Sequence, residues 1–185
     1  MTEKKRPRKA KPPARRVRKE APSGVSKGNC IIAVRLRGEG GVAADVRATL
    51  DMLRLSRKHN AILIYKRSDA LGMLRKAKDY VTWGEADKEV LSVLFKKRCR
   101  PQGTNELTAR YLKERLQVPS IERFVQAIER AEIPLSKLRE AGISPVFRLH
   151  PPKGGFKGAL KRSFADGGEL GDRGAEITSL ISRMT

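Results

Sequence analysis

The sequence is poor in the residues that most enzymes and metal proteins use. Its 185 residues include two histidines, His59 and His150, and two cysteines, Cys30 and Cys99. The histidines lie far apart along the chain, which leaves few histidine-based metal or acid–base arrangements. The cysteines show no CxxC spacing, which argues against a zinc ribbon or a disulfide scaffold and fits a reducing cytosol. Aromatic residues make up only 5%, so a base-stacking sheet of the RRM kind is not indicated. No apolar run approaches the roughly 18 residues needed to span a bilayer. The basic N-terminus lacks the apolar stretch of a secretory signal. The phosphate loop GxxxxGK[ST], HExxH and GxSxG are missing, as are helix-turn-helix, C₂H₂ and RNP1 patterns.

Acidic residues are scarce as well. There are 20 Asp+Glu against 41 Lys+Arg, for a net charge of +21 and a pI near 10.6. Such a charge repels itself until something acidic neutralises it, so the natural partners are nucleic acid, an anionic membrane or an acidic protein. Against these shortages stands a hydrophobic content of 39%, enough for one modest core with tails. Residues 1–28 hold eleven Lys+Arg against Glu3 and Glu20 and are interrupted by Pro7, Pro12, Pro13 and Pro22. With Val17 and Val25 as the only strongly apolar residues after Met1, this segment reads as a disordered basic arm. Its candidate phosphate contacts are Arg6, Arg8, Lys9, Lys11, Arg15, Arg16 and Arg18. The other 157 residues, 29–185, carry thirty Lys+Arg against eighteen acids. The expected folded domain is therefore basic in its own right.

Within residues 29–185 the pattern changes abruptly. Residues 30–37 (CIIAVRLR) and 61–66 (AILIYK) predict strands, the second with too few polar breaks for an exposed position. Between them, Val42, Val46, Leu50 and Leu53 fall on one helical face, with Asn60 suited to a C-terminal cap. Ser68 and Asp69 can cap a second helix carrying Leu71, Leu74 and Ala77. Residues 80–83 have local strand character. Residues 85–140 read as a helical insertion in which one helix ends in the basic run 96–100 (KKRCR), placed well for the helix dipole. Residues 146–150 (VFRLH) predict the third strand of the core. Residues 151–174, with seven glycines from 154 onward, read as a basic glycine-rich loop, and residues 175–184 as a C-terminal helix.

The chemistry these residues can carry is electrostatic. Gly38, Gly40 and Ala43 fit the spacing of a dinucleotide-binding turn, but the chain lacks further β-α units and has Lys66 and Arg67 where an acid is expected. A glycine turn is the simpler reading. Trp83 next to Gly84 is either a stacking platform or a half-buried packing residue. Three basic zones stand out: the arm, the clusters at 54–58 and 66–78, and the 153–174 loop. Glycines let a backbone approach phosphates closely, and cations neutralise them. Charge with little base-reading chemistry points to recognition of folded RNA through its shape and backbone. A chromatin-like nucleic-acid-binding protein is the alternative.

Four stretches resemble signatures of the large-subunit ribosomal protein thirty family in its archaeal and eukaryotic form. They are residues 49–57 (TLDMLRLSR), 72–85 (GMLRKAKDYVTWGE), 147–153 (FRLHPPK) and 161–174 (KRSFADGGELGDRG). They occur in family order and the resemblance spans residues 29–185. It implies an α+β fold with a β-α-β-α-β core and a three-stranded antiparallel sheet, somewhat like ferredoxin. It implies a structural, non-enzymatic constituent of the large ribosomal subunit, monomeric within the cytoplasmic ribosome. The implied partners are large-subunit rRNA, with 5S rRNA close by, and neighbouring ribosomal proteins; no cofactor, metal or membrane is implied. Carried onto matching or adjacent positions, the implied RNA contacts are Arg54, Arg57, Lys58, Arg75, Lys76, Lys78, Arg148, His150, Lys153, Lys157, Lys161, Arg162 and Arg173. Lys157, Gly158 and Ser163 look archaeal, whereas a long basic N-terminal extension is a eukaryotic trait, so the arm's contacts are not inherited.

Overall fold

The computed structural model describes residues 30–103 and 106–185. The arm expected over residues 1–28, with its candidate contacts from Arg6 to Arg18, lies outside the described residues.

Cys30–Arg35 forms β1, and all six of its residues are buried. Cys30, Ile32 and Val34 enter one apolar cluster while Ile31 and Ala33 enter another. A strand that is apolar on both faces must be covered on both, and here it is. On one face lie α1 (Ala44–Met52) and α2 (Ser68–Lys76), bringing Leu50 and Leu74 to Ile31 and Ala33. On the other face lie helices of the segment 88–140 together with α7 (Ile177–Met184). That segment contains α3 (Lys88–Lys97), α4 (Ala109–Leu116), α5 (Ile121–Glu129) and α6 (Leu135–Glu140). Phe95 of α3 packs edge-on to Phe124 of α5 at 4.9 Å and to Phe147 at 5.4 Å, joining helices and sheet. Each fully buried Leu or Phe contributes about 1.5–3 kcal/mol relative to exposure.

The remaining strands are β2 (Asn60–Tyr65), β3 (Val81–Glu85), β4 (Val146–Arg148), β5 (Ala159–Ser163) and β6 (Gly168–Asp172). They form one six-stranded sheet in the order β4-β2-β1-β3-β6-β5. The four strands β4, β2, β1 and β3 pair antiparallel, and β6 and β5 join in parallel. The expected β-α-β-α-β core is present as β1-α1-β2-α2-β3.

Three expectations need correction. The sheet has six strands rather than three. The third core strand is β3, which pairs with β1 from Ile31–Glu85 to Arg35–Val81; residues 146–148 form an edge strand on β2. The segment 151–174 is not simply a loop, because it contributes β5 and β6. Glycine makes this possible. Gly168 passes so close to the backbone of Arg162 that no side chain fits there, and β5 itself is almost wholly exposed. At the helix ends, Ser120 caps α5 through the Arg123 amide. Arg67 rather than Ser68 or Asp69 occupies the cap of α2, and Asn60 starts β2 instead of capping α1.

Candidate nucleic-acid interface

The strand pairings bring separate basic segments to one end of the sheet. Ala61 at the start of β2 lies opposite Val34 at the end of β1. Arg35 lies opposite Val81 at the start of β3. Asn60 lies opposite Arg148 at the end of β4. The α1–β2 loop with Arg54, Arg57 and Lys58 is therefore beside the residues that follow β4. The amide of Leu149 donates to the His59 carbonyl at 3.1 Å, and the Phe156 ring lies 6.5 Å from the His59 ring. The C-terminus of α2, carrying Arg75 and Lys76, and the following Lys78 reach the same end, since the amides of Leu36 and Arg37 donate to the Tyr80 carbonyl. So do the C-termini of α3 and α7: Arg98 meets His150 at 3.0 Å, and the His150 amide donates to the Met184 carbonyl. The negative ends of three helix dipoles thus share one end of the sheet with lysines and arginines in their last turns. The basic surface continues through Lys157 onto the outer strand β5 with Lys161 and Arg162. Charged residues on an edge strand also discourage pairing with foreign strands.

The α1–β2 loop has an unusual backbone. Arg54 and His59 take φ values of 57° and 65°, a region few non-glycine residues occupy. Beneath them, the Arg35 guanidinium donates to the carbonyls of Leu55 and Ser56 at 2.8 and 2.5 Å. Burial first, and the charge of Lys58 second, pull the His59 pKa below the ordinary histidine value.

The thirteen body residues expected to meet RNA divide into three groups: ten free, two engaged and one buried. Arg54, Arg57, Lys58, Arg75, Lys78, Arg148, Lys153, Lys157, Lys161 and Arg162 are exposed, and none forms an ion pair among the described residues. Lys76 is exposed but pairs with Asp45 at 3.3 Å, and it holds the Asp45 carboxyl below the usual carboxylate range. His150 is exposed and engaged with Arg98.

Arg173 does not belong to the surface, which corrects the expected contact. It is 9% exposed and forms a buried ion pair with Glu169. It also donates to the Glu169 carbonyl at 2.9 Å and to Thr82 Oγ1 at 3.3 Å, and lies 4.5 Å over the Phe164 ring. Glu169 in turn accepts from the amides of Lys157 and Gly158 at 2.9 and 2.8 Å. This pair ties the β5–β6 unit to β3. Trp83 is corrected too. It is 6% exposed and packed among the apolar residues under α1 and α2, so no base can reach its face.

Three arginines escaped the sequence reading. Arg37 donates to the Asp79 carbonyl and lies 5.0 Å over the Tyr80 ring. Arg98 and Arg183 frame the segment 150–155, with Arg183 donating to the Gly155 carbonyl at 3.0 Å. The basic run at 96–100 was the available signal for Arg98. Among the described residues, no group of three His, Cys, Asp or Glu side chains could hold a metal ion, and no helix is long and apolar enough to cross a membrane.

The family model described as ribosomal protein L30p/L7e matches residues 31–81, which run from β1 into the start of β3. The large ribosomal subunit protein uL30 of Ignicoccus hospitalis is 43% identical over 154 residues, covering 83% of this chain and 96% of that protein. The corresponding protein of Staphylothermus marinus is 45% identical over 156 residues, covering 82% and 95%. That of Methanobrevibacter smithii is 40% identical over 153 residues, covering 83% and 98%. The alignments take in nearly the whole of each relative and more than four fifths of this chain, and the chain belongs to the uL30 family of large-subunit ribosomal proteins.

Proposed function

We propose that this chain is a structural constituent of the large ribosomal subunit that binds and stabilises folded large-subunit rRNA during translation. The observation that carries this reading is the gathering, on one end and one edge of the sheet, of ten exposed cations that form no ion pair among the described residues. Phosphate neutralisation there releases counterions and relieves the self-repulsion of a +21 chain. The few aromatics are mostly committed to packing, so recognition rests on backbone and shape rather than on base stacking. No bond-making step is assigned to the site; its role is to hold RNA. A position near the 5S rRNA, with neighbouring ribosomal proteins alongside, rests on the family resemblance alone.

The test is binding of the full chain to a large-subunit rRNA transcript across a salt series. Log K is expected to fall linearly with log salt, by about 0.7–0.9 per neutralised phosphate. Affinity that stays flat from low to high salt would refute the mechanism. Gradient sedimentation of a lysate adds the cellular context: the protein is expected with the large subunit, and migration with DNA would favour a chromatin-like role.

A further inference from the structure

We infer that Arg35 is the positioning residue of the RNA-facing loop 53–59, a reading that rests on the function proposed above. Arg35 ends β1 and is 4% exposed. Among the described residues it forms no ion pair. Its fork is instead filled by carbonyls. Nη1 donates to Leu55 O at 2.8 Å and to Ser56 O at 2.5 Å, Nη2 donates to Gly38 O at 3.0 Å, and Nε donates to Arg37 O at 2.9 Å. Two loops that are apart in sequence therefore converge on one planar cation.

A buried charge is tolerated only while its hydrogen bonds are kept. The four carbonyls are thus held in place for as long as Arg35 stays charged, which an arginine always does. The main chain of Arg35 closes the same loop, because its carbonyl accepts from the His59 amide at 2.8 Å. Leu55, fully buried, pins the middle of the loop. Between these fixed points the chain passes through the left-handed conformations of Arg54 and His59, which turn Arg54, Arg57 and Lys58 outward. Local strain of this kind persists only where the surroundings over-determine it. Lysine cannot replace the fork, since an ammonium is a point charge without planar geometry. The loop is therefore organised before RNA arrives, and its three cations pay little ordering entropy on binding.

The experiment is a double-mutant cycle on the full chain, with affinity for a fluorescent large-subunit rRNA fragment read near 0.1 M salt. Arg57→Ala is expected to weaken binding roughly five- to tenfold in the wild-type background, the share of one phosphate contact at that salt. In the Arg35→Lys background the same change is expected to cost less than twofold. A residue that only stabilises the fold would leave the cost of Arg57→Ala unchanged, and equal costs overturn the inference. A wild-type chain that fails to bind the fragment overturns the proposed function as well. Should Arg35→Lys not fold, guanidinium proton exchange in the wild type decides. Slow exchange at Arg35 beside fast exchange at Arg57 supports positioning, and equally fast exchange at both refutes it.

Discussion

Arg173 and Arg57 carry the same guanidinium and differ in what surrounds it. Arg57 faces solvent and forms no ion pair among the described residues, whereas Arg173 is enclosed by Glu169, Thr82 and the Phe164 ring. A surface cation contributes to RNA binding and little to folding. Removing one partner of a buried pair leaves the other charge stranded and costs about 3–5 kcal/mol. Glu169→Gln is accordingly expected to lower unfolding stability by that order at pH 7, read from a urea melt. The pH dependence follows from the same geometry. Burial pushes the Glu169 carboxyl up, but the Gly158 and Lys157 amides and the Arg173 guanidinium outweigh it and hold it below the ordinary glutamate value. A depressed carboxyl stabilises the fold above its unfolded pKa and loses that contribution as pH falls through the folded one. Wild-type stability should therefore decline below about pH 4.5 more steeply than that of Glu169→Gln. Neither Arg173 nor Arg35 could be told from a surface cation in the sequence. Burial of a cation is decided by which distant carbonyls and carboxylates the topology brings to it.

The elements differ in how plainly the sequence announces them. The alternation in β1, the apolar run in β2 and the helical spacing of Leu50 and Leu53 each reflect a local period, and a local period survives whatever surrounds it. β5 and β6 have no such period. Residues 159–163 (ALKRS) and 168–172 (GELGD) are strands only because β3 offers its free edge and glycine permits the approach. A loop over 151–174 is what the sequence alone predicts for that reason, whereas residues 146–148 do form a strand, at the sheet edge on β2 rather than in the core. β3 was hard to rank because its five residues include Gly84, which weakens any strand signal. The structure shows why glycine stands there. A β-carbon on Gly84 would collide with the Gly174 carbonyl and the Ile177 side chain, where α7 begins its passage over the sheet. Gly84→Ala is expected to destabilise the protein by about 1–3 kcal/mol, measured as a lowered midpoint in urea. It should leave the salt dependence of RNA binding unchanged, since no cation moves.

At the scale of the whole molecule the charge is arranged by the direction of the chain. β1 enters the sheet at Cys30, beside Tyr65, Glu85 and the residues that lead to Asp172. The basic loops lie at its other end, past Arg35. Residues 1–28, with eleven Lys+Arg, therefore precede the end of the sheet opposite the loop that carries Arg54, Arg57 and Lys58. Deleting residues 1–28 and neutralising Arg54, Arg57 and Lys58 should each reduce the slope of log K against log salt. The reductions are expected to add in the combined variant, because sites without shared partners behave independently. A combined loss well below the sum would show that arm and loop serve the same phosphates. The position of Cys30 also sets a length scale. Six strand residues separate the two poles by roughly 20 Å, and twenty-nine residues can extend at most roughly 100 Å. Under the proposed function, RNA held at the loop leaves residues 1–28 no farther from it than that length, so their encounter with it is intramolecular, governed by an effective concentration rather than by the amount of free protein.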